Sequence, residues 1–350
     1  MSYDWKNILL KPGQSIRDAL ALINRGSLRI ALVVSDDLNL LGIVTDGDIR
    51  RGLLRNLTLE SPVSEVMNSS PLTAGFGADR KGLKKVMEKE QIFAIPLLKD
   101  GIVAGLETLH WPVESSKHQN PVFIMAGGFG TRLKPLTDHC PKPMLIVGEK
   151  PILEIVLESF ITAGFVNFYI STHYLSEMIK DHFGDGTKWN VNIAYVHEEI
   201  PLGTGGALGL LPSDLPDLPL IVINGDILTN VNFNRLLEFH NKYNAAATMC
   251  VRDYEYQVPF GVINGEGNQV TSMVEKPIQR FFVNAGIYVV SPRMRNAIDK
   301  QTCIDMPTLL ENVMSQKEKV MMFPVHEYWL DIGRLEDYEK AQQDIINLDF

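Results

Sequence analysis

The sequence predicts an α/β protein with a mostly parallel sheet, preceded by a smaller α+β part. Downstream of residue 120, apolar runs of strand length alternate with helical patterns, as βαβ units do. Upstream, one segment repeats another. At 350 residues the chain exceeds one ordinary domain. We therefore expect two domains, 1–115 and 120–350, with the polar segment Trp111–Asn120 as linker.

Composition argues against several classes of protein. A net charge of −9 disfavours general nucleic-acid binding, so phosphate should bind in a local basic pocket. No run is apolar and long enough for a membrane span, and the first residues lack the apolar core of a secretory signal. Cys140, Cys250 and Cys303 are scattered, which favours a cytoplasmic location. The spacing of the eight His argues against zinc.

The repeat lies in the first part of the chain. "IALVVSDDLNLLGIVTDGDI" from Ile30 aligns with "FAIPLLKDGIVAGLETLHWP" from Phe93 at a shift of 63 residues. The shift places Ala31 on Ala94, Asp37 on Asp100, Gly42 on Gly105 and Thr45 on Thr108. Each copy is predicted to form helix, strand, turn, strand and helix. We expect the two copies to bury each other's apolar faces.

This repeat region, about the first third of the chain, resembles a tandem cystathionine-β-synthase (CBS) pair, and its sharpest local match is "GIVTDGDIRRGLL" from Gly42. The resemblance implies that an adenosine or guanosine nucleotide binds at Thr45 and Asp46, with Asp46 holding the ribose hydroxyls. Leu109 stands where Asp46 would recur, so one such site is expected rather than two. The alternative is that Thr45 and Asp46 only cap the helix that begins near Asp48.

The second part begins with "VFIMAGGFGTRLKPLTDHCPKPML", Val122 to Leu145, predicted to be a strand and the glycine turn at its carboxyl end. Glycines allow positive φ and let backbone N–H groups approach an anion. Arg132 and Lys142 add cations, which together suit a polyphosphate. The spacing fits neither G-x-G-x-x-G nor G-x-x-x-x-G-K-[ST]. A purely steric turn is the alternative, and the attached cations argue against it.

This stretch resembles the signature of the sugar-1-phosphate nucleotidyltransferases, also called nucleoside-diphosphate-sugar pyrophosphorylases. Further motifs of that family follow in its order, as far as about Gly333: "PLGTGGAL" from Pro201, "NGDI" from Asn224, "PFGVI" from Pro259, "VEKP" from Val274, "VNAGIY" from Val283 and "WLDIGR" from Trp329. The resemblance implies a Rossmann-like, glycosyltransferase-A-like catalytic domain. It implies that a sugar 1-phosphate attacks the α-phosphorus of a nucleoside triphosphate and that pyrophosphate leaves.

The same resemblance implies a set of site residues. The implied catalytic residues are Arg132, Lys142, Asp226 and Lys276. The implied nucleotide-binding residues are Ala126, Gly127, Gly128, Gly130, Thr131, Arg132, Gly203 and Thr204. The implied sugar-phosphate-binding residues are Gly261, Glu275, Lys276 and Asn284. The implied Mg²⁺ ligands are Asp226 and Asp331.

Each of these assignments has a structural alternative. Lys276 would then be a solvated turn residue, Asp331 a cap for the helix "GRLEDYEKAQQ", and "GTGG" a tight strand-to-helix turn. Ser171 and His173, which follow another predicted strand, are interpreted as parts of a βα-turn, because no G-x-S-x-G accompanies them.

The motif pattern most resembles guanylyltransferases that use mannose, heptose or aminosugar 1-phosphates, including those that make GDP-glucosamine. GTP, a sugar 1-phosphate and Mg²⁺ are therefore the expected ligands, and a homo-oligomer the expected state. Uridylyl or thymidylyl transfer stays open, as does a catalytically inactive nucleotide-sensing regulatory protein. A dinucleotide-dependent oxidoreductase lacks the expected glycine spacing.

Overall fold

The computed structural model describes residues 5–25, 30–90, 92–109, 117–300 and 302–347. The chain divides into two compact units, Met1–Val113 and Glu114–Phe350. Part of the predicted linker lies outside the described residues, and its last part is wrong because His118–Met125 forms a strand. The His118 ring stacks on Phe165 with centroids 4.6 Å apart. The Asn120 amide donates to the Pro219 carbonyl at 2.8 Å, so these polar residues belong to the second unit.

The first unit contains two similar three-stranded sheets. Its strands and helices are β1 (Leu9–Leu10), α1 (Ile16–Arg25), β2 (Ile30–Val34), β3 (Leu40–Thr45), α2 (Asp46–Leu54), β4 (Ala74–Gly75), α3 (Arg80–Glu90), β5 (Ala94–Lys99) and β6 (Ile102–Thr108). The sheet orders are β1-β2-β3 and β4-β5-β6, and in each a short parallel strand precedes an antiparallel hairpin. The repeat thus gives the same fold twice. The helix predicted after β6 lies outside the described residues.

The register of the two copies differs by one residue in the first strand of each hairpin. Val33 pairs with Gly42, whereas Leu97 pairs with Gly105. Gly42 and Gly105 are separated by the predicted shift of 63 residues. Their pairing partners, Val33 and Leu97, are separated by one residue more. Ala31 therefore corresponds to Ile95, and the predicted equivalence with Ala94 is wrong. The cause is the tight Asp-Gly turn before β6, in which Asp100 and Gly101 have φ of 53° and 82°.

The two copies bury each other's apolar faces, as the repeat predicts. One buried cluster draws its members from both copies: Ile8, Ile30, Leu32, Val34, Ala94 and Val103. The Val103 N–H also donates to the Leu38 carbonyl at 3.0 Å. Removal of this apolar surface from water stabilises the pair as one unit.

The second unit alternates strands and helices. Its strands are β7 (His118–Met125), β8 (Ile146–Val147), β9 (Lys150–Pro151), β10 (Phe165–Thr172), β11 (Asn192–His197), β12 (Leu220–Asn224), β13 (Ile227–Thr229), β14 (Ala247–Gln257), β15 (Val262–Glu266), β16 (Gln269–Val274), β17 (Ile278–Val290), β18 (Val320–Val325) and β19 (Trp329–Asp331). Its α-helices are α4 (Ile152–Thr162), α5 (Ser176–Phe183), α6 (Gly203–Gly206), α7 (Phe233–Tyr243), α8 (Pro292–Asn296), α9 (Met306–Ser315) and α10 (Leu335–Asp344).

The main sheet of this unit has the strand order β11-β10-β7-β12-β17-β14-β18. Only β17 runs against its neighbours, which confirms the predicted mostly parallel sheet. The first strand, β7, lies between β10 and β12. The chain therefore builds outward from β7 in both directions, and such a switch point places a ligand crevice at the carboxyl ends of the strands.

Both faces of the main sheet are buried. On β7, Val122 and Ile124 belong to one core cluster and Phe123 to the other. The alternation follows from the two-residue period of a strand. Helices α4 and α7 cover the first face, and α8 and α9 cover the second. No helix within the described ranges is long and apolar enough to cross a membrane.

Candidate active site

The glycine loop after β7 combines one open position with two tightly packed ones. A Cβ at Gly128 would meet no atom of the described chain within 4 Å. A Cβ at Gly127 would lie 2.9 Å from Glu198 Oε1. Gly130 has φ of 62°, and a Cβ there would lie 2.9 Å from Lys142 Cβ. The loop therefore packs closely against its neighbours while leaving its Gly128 backbone accessible to a ligand.

The start and end of the loop are fixed by hydrogen bonds. The Ala126 N–H donates to both the carbonyl oxygen and the hydroxyl of Ser171, each at 3.2 Å. Thr131 begins a 3₁₀ turn that carries Arg132. The Thr137 hydroxyl donates to the Gly130 carbonyl at 2.8 Å and fastens the returning chain.

Two of the three cations near the loop point to one acidic cluster. Lys142, on a 3₁₀ turn, is buried, and its Nζ is ion-paired with Asp226. A Cβ at Gly333 would lie 3.7 Å from Arg132 Nη1 and 3.8 Å from Asp331 Oδ1, so both groups lie close to that glycine. Lys134 instead pairs with Asp138 at 3.3 Å on the loop itself.

Asp226 and Asp331 meet although they are far apart in sequence. Gly225 turns the chain at the end of β12, where its N–H donates to the Met125 carbonyl at 2.8 Å. A Cβ at Gly225 would lie 2.8 Å from that same oxygen, so only glycine fits. In the next strand Ile227 pairs with Asp331, and the Ile332 N–H donates to the Asp226 carbonyl at 3.1 Å.

The two carboxylates fit a magnesium ion. Asp226 Oδ1 is buried and accepts no hydrogen bond from the described residues. Desolvation raises the pKa of the Asp331 carboxyl, the charge of Asp226 raises it further, and Lys142 and Arg132 act in the opposite direction. Carboxylate oxygens close enough to repel each other are a suitable donor set for Mg²⁺.

Asp331 does not cap helix α10, because Asp337 supplies the side-chain acceptor at the start of that helix. Helix α10 begins at Leu335, and the Arg334 N–H donates to Asp337 Oδ2 at 2.8 Å.

Lys276 lies on a separate, largely exposed part of the unit. The outer parts of β14 and β17, with the β15–β16 hairpin, form an arm of residues 253–283. Lys276 has φ of 46°, a backbone strain that is uncommon for lysine. A Cβ at Gly261 would lie 2.9 Å from Glu275 Oε2, so these two predicted sugar-site residues are neighbours. Within the described residues, no hydrogen bond or ion pair links Lys276 to Asp226 or Asp331.

Asn284 lies in β17, at an irregularity in its pairing with β14 and close to the end of β12. Its amide donates to the Tyr288 hydroxyl at 2.5 Å, and its carbonyl accepts from the Gly286 N–H at 2.9 Å. Gly286 has φ of 68°, and a Cβ there would lie 2.7 Å from Asn224 Nδ2. The "VNAG" motif thus supports the strand end that presents Asp226.

This geometry agrees with comparisons with known proteins. The family model described as nucleotidyl transferase matches residues 122–347. The chain belongs to the nucleotidyl transferase family. The model described as CBS domain matches residues 4–55. The nucleotidyl transferase unit is therefore preceded by a CBS domain, as the sequence predicts.

Curated relatives of the nucleotidyl transferase unit include two guanylyltransferases. The mannose-1-phosphate guanyltransferase of Yarrowia lipolytica is 35% identical over 223 residues, covering 61% of this chain and 61% of the relative. The mannose-1-phosphate guanylyltransferase catalytic subunit beta of Danio rerio is 32% identical over 227 residues, with the same coverage of each chain. Both matches thus span about three fifths of the relatives' length.

Among solved structures, HddC from Yersinia pseudotuberculosis, complexed with GMP-PN, has a TM-score of 0.52 and 27% identity. The match covers 65% of this chain and 99% of that one.

The second glycine loop of this nucleotidyl transferase unit, residues 203–206, packs tightly against residues 302–306. The Thr204 hydroxyl accepts a hydrogen bond from the Met306 N–H at 2.9 Å. The backbone N–H of Thr204 donates to Asp305 Oδ1 at 3.1 Å. A Cβ at Gly203 would lie 2.8 Å from Asp305 Oδ1, and one at Gly206 would lie 2.0 Å from the Thr302 carbonyl. Residues 203–206 form the short helix α6 rather than the predicted turn. The contacts give these residues a packing role, and nucleotide contact by Gly203 and Thr204 stays a prediction.

Glu198, which sequence reasoning missed, lies beside the first glycine loop. It follows β11, is 7% exposed, and its Oε2 accepts from the Leu202 N–H at 3.1 Å. Only its position after a parallel strand could have indicated it. Ser171 and His173 hold the same edge together, since His173 Nδ1 lies 2.6 Å from the Glu198 carbonyl.

In the CBS domain, Thr45 caps helix α2. Its side chain accepts from the Asp48 N–H at 3.3 Å, and Asp48 Oδ2 accepts from the Thr45 N–H at 2.9 Å. Asp46 is the first residue of the helix, and its carboxylate accepts from Arg50 Nε at 2.7 Å. The capping alternative therefore describes Thr45, and nucleotide binding at Thr45 and Asp46 stays a prediction.

Proposed function

We propose that this chain transfers GMP from GTP to a sugar 1-phosphate, forming a GDP-sugar and pyrophosphate. The observation that carries the proposal is the meeting of Arg132, Lys142, Asp226 and Asp331 at the sheet edge beside the open Gly128 backbone. Two anionic substrates must be brought together there, so local positive charge is required despite a net charge of −9.

The reaction needs no protein nucleophile. A phosphate oxygen of the sugar 1-phosphate attacks the α-phosphorus of GTP in line, the bond to the bridging oxygen of the β-phosphate breaks, and pyrophosphate leaves. Arg132 would stabilise the triphosphate and the departing pyrophosphate, and Lys142 the α-phosphate. Lys276, with Glu275, Gly261 and Asn284, would hold the sugar phosphate. Charge stabilisation of this kind acts on the transition state.

Asp226 and Asp331 would hold Mg²⁺, which would supply positive charge to the phosphate oxygens. Asp331→Asn keeps the shape and removes one charged ligand. We expect it to raise the Mg²⁺ concentration that gives half-maximal rate by at least about tenfold, on the scale of lost metal-site interactions. The measurement is a Mg²⁺ titration of initial rate, with Asp181→Asn, at an exposed aspartate of α5, as the control. An unchanged midpoint in Asp331→Asn would remove this residue from the metal site.

Guanine is the proposed base because the two curated relatives are named as mannose-1-phosphate guanylyltransferases and HddC was solved with GMP-PN. The proposed acceptors are mannose, heptose or glucosamine 1-phosphates. The test is a matrix of the four ribonucleoside triphosphates and dTTP against these sugar 1-phosphates and glucose 1-phosphate, measured by pyrophosphate release. A preference for UTP or dTTP would replace the guanylyl proposal, and no release from any pair would favour an inactive nucleotide sensor.

A regulatory nucleotide at the CBS domain is the second part of the proposal. It rests on the "VTDGDI" segment, in which Asp46 would accept the ribose hydroxyls in exchange for its bond to Arg50. Calorimetric titration of the full chain with AMP, which lacks the triphosphate of a catalytic substrate, is the test. We expect one site, lost in Asp46→Asn and kept in Asp36→Asn. Binding that is absent, or unaffected by Asp46→Asn, would leave the segment a structural helix start.

A homo-oligomer completes the proposal, because the arm exposes large apolar side chains. They include Tyr254, Tyr256, Phe260, Ile263, Met273, Ile278 and Phe281. A group of large exposed apolar side chains on one arm is the kind of surface that associates with another protein surface. Light scattering coupled to size exclusion should give a mass above one chain, and Phe260→Ser with Met273→Ser should lower it.

A further inference from the structure

Helix α10 connects the two chain segments that supply Asp331 and Lys142. Its first turn lies beside Asp331, because a Cβ at Gly333 would lie 3.8 Å from Asp331 Oδ1 and 3.6 Å from Asp337 Oδ2. Its later turns are hydrogen-bonded to the chain that follows Lys142. The helix has 10 residues, which gives a rigid rod about 15 Å long. It therefore fixes one segment of the candidate site relative to the other.

Three side-chain hydrogen bonds hold the segment after Lys142 against this helix. Gln342 Nε2 donates to the Ile146 carbonyl at 2.6 Å, and Gln342 Oε1 accepts from the Gly148 N–H at 3.0 Å. The Tyr338 hydroxyl donates to the same Ile146 carbonyl at 2.6 Å. Gln342 thus uses both ends of its amide on one short stretch of backbone, which fixes that stretch in position and in orientation.

The segment that Gln342 holds has little structure of its own. It is the hairpin of β8 and β9, in which Ile146 pairs with Pro151 and Val147 with Lys150. A hairpin this short is not stable by itself in water. The 3₁₀ turn that carries Lys142 has a proline on each side of it, and proline has no backbone N–H to donate. The position of the Lys142 backbone therefore depends on what holds the hairpin that follows it.

We propose that Gln342 is a positioning residue for nucleotidyl transfer, because its two hydrogen bonds to the β8–β9 hairpin fix the place of Lys142. The inference rests on the proposed function, in which Lys142 stabilises the α-phosphate. Lys142 Nζ is ion-paired with Asp226, so the same ammonium would have to reach the phosphate as well. An ammonium is a point charge on a flexible stem, and the position of its backbone limits its reach. A misplacement of about 1 Å in an active site can lower turnover by about 100-fold.

The test measures kcat for pyrophosphate release by Gln342→Met in two backgrounds. Methionine keeps the length of the side chain but removes both hydrogen bonds. In the otherwise wild-type protein we expect kcat to fall by about 10-fold and KM for the sugar 1-phosphate to change by less than about threefold, because the ammonium acts mainly on the transition state. In the Lys142→Ala background the same substitution should lower kcat by less than about twofold, since no ammonium is left to position.

The matched control is Gln343→Met. Gln343 is the exposed neighbour of Gln342 on the same helix, so its substitution tests the effect of a methionine on α10 without loss of the two hydrogen bonds. We expect kcat to stay within about twofold of its starting value in both backgrounds, as for a surface substitution.

A purely structural role for Gln342 gives a different result. Gln342→Met would then lower kcat by the same factor in both backgrounds, or would keep the wild-type kcat at a temperature where circular dichroism shows it fully folded. Either result overturns the inference. If Lys142→Ala is too slow to measure, the fully folded Gln342→Met decides alone: a loss of kcat at unchanged KM supports the inference, and an unchanged kcat overturns it.

Tyr338→Phe is the milder variant if Gln342→Met does not fold. It removes one hydrogen bond to the Ile146 carbonyl and keeps the ring, so kcat should fall by about threefold, and by less in the Lys142→Ala background. Equal losses in the two backgrounds, or no loss in either, overturn the inference here too. The proposed function fails separately, if the wild-type protein releases no pyrophosphate from any pair of substrates.

Discussion

The two glycine loops of the nucleotidyl transferase unit look alike in sequence but differ in their surroundings. In the first, a Cβ at Gly128 would meet open space, and cations lie close by. In the second, Cβ atoms at Gly203 and Gly206 would press against the backbone or side chains of residues 302–305. Glycine is required at both loops, in one for a ligand and in the other for packing of the chain against itself.

The comparison shows that the role of a glycine cluster, ligand binding or packing, depends on which atoms a side chain at each glycine would displace. The hydrogen bonding of nearby carboxylates separates the same two roles. Asp226 Oδ1 has no hydrogen-bond donor among the described residues, whereas Asp305 Oδ1 beside the second loop accepts from the Thr204 N–H at 3.1 Å. A buried acceptor without a donor is consistent with a ligand there, whereas the carboxylate of the exposed Asp305 is satisfied by the chain itself.

The largest expected effect is loss of turnover in Arg132→Ala. Arg132 is exposed and lies near Asp331, so its removal should not disturb the core. It should remove a charge that meets the leaving pyrophosphate, which lowers kcat by about 10²- to 10³-fold. Steady-state pyrophosphate release at saturating substrates is the measurement.

Lys134→Ala is the matched control for this prediction. Lys134 is a cation on the same loop, but its Nζ pairs with Asp138 rather than with the acidic cluster. Its kcat should change by less than about threefold, because exposed ion pairs contribute little. Equal losses of kcat in the two variants would mean that the loop needs only positive charge in general. A specific role for Arg132, as opposed to Lys134, would then be contradicted.

The sequence could predict the parallel sheet and the first loop, because strand runs, glycines and cations there are local in sequence. It could not show that Asp226 and Asp331 meet, because that depends on pairing of β13 with β19. The family resemblance supplied that pair. Glu198 carried no local motif, and its position beside the first glycine loop depends on the order of β11, β10 and β7. The one-residue offset between the two copies of the repeat was also not visible in the sequence, because the shorter turn before β6 shifts only one strand of the hairpin.

The next effect contrasts one glycine from each loop. Gly206→Ala should destabilise the unit, because its Cβ would lie 2.0 Å from the Thr302 carbonyl. The expected loss in unfolding free energy is about 1–3 kcal/mol, the range for overpacked sites. Gly128→Ala should change stability by less than about 0.5 kcal/mol, as at an open surface position. Its kcat/KM for GTP should instead fall by about 10- to 100-fold, because the methyl group displaces the ligand.

Chemical denaturation and steady-state kinetics of both variants measure this contrast. Gly206→Ala should retain kcat/KM near the wild-type value under conditions where it is folded. If Gly128→Ala were the less stable protein and Gly206→Ala the less active one, the assignment of the two loops would have to be reversed.

The smallest expected effect is that of Thr204→Ala. This variant tests whether Thr204 serves the packing of the second glycine loop or contacts the nucleotide directly. The Thr204 hydroxyl accepts from the Met306 N–H, the first residue of α9, while Asp305, which precedes that helix, forms no side-chain cap of its own. Loss of this bond should reduce the unfolding free energy by about 1 kcal/mol, the usual cost of removing a helix cap. Thr204→Ser keeps the hydroxyl and should restore most of the loss. Because the hydroxyl is occupied by the protein, KM for GTP should change by less than about threefold, below the cost of one lost neutral hydrogen bond to a ligand. A wild-type stability combined with a KM increase of tenfold or more would instead give Thr204 the direct nucleotide contact that the family resemblance implies.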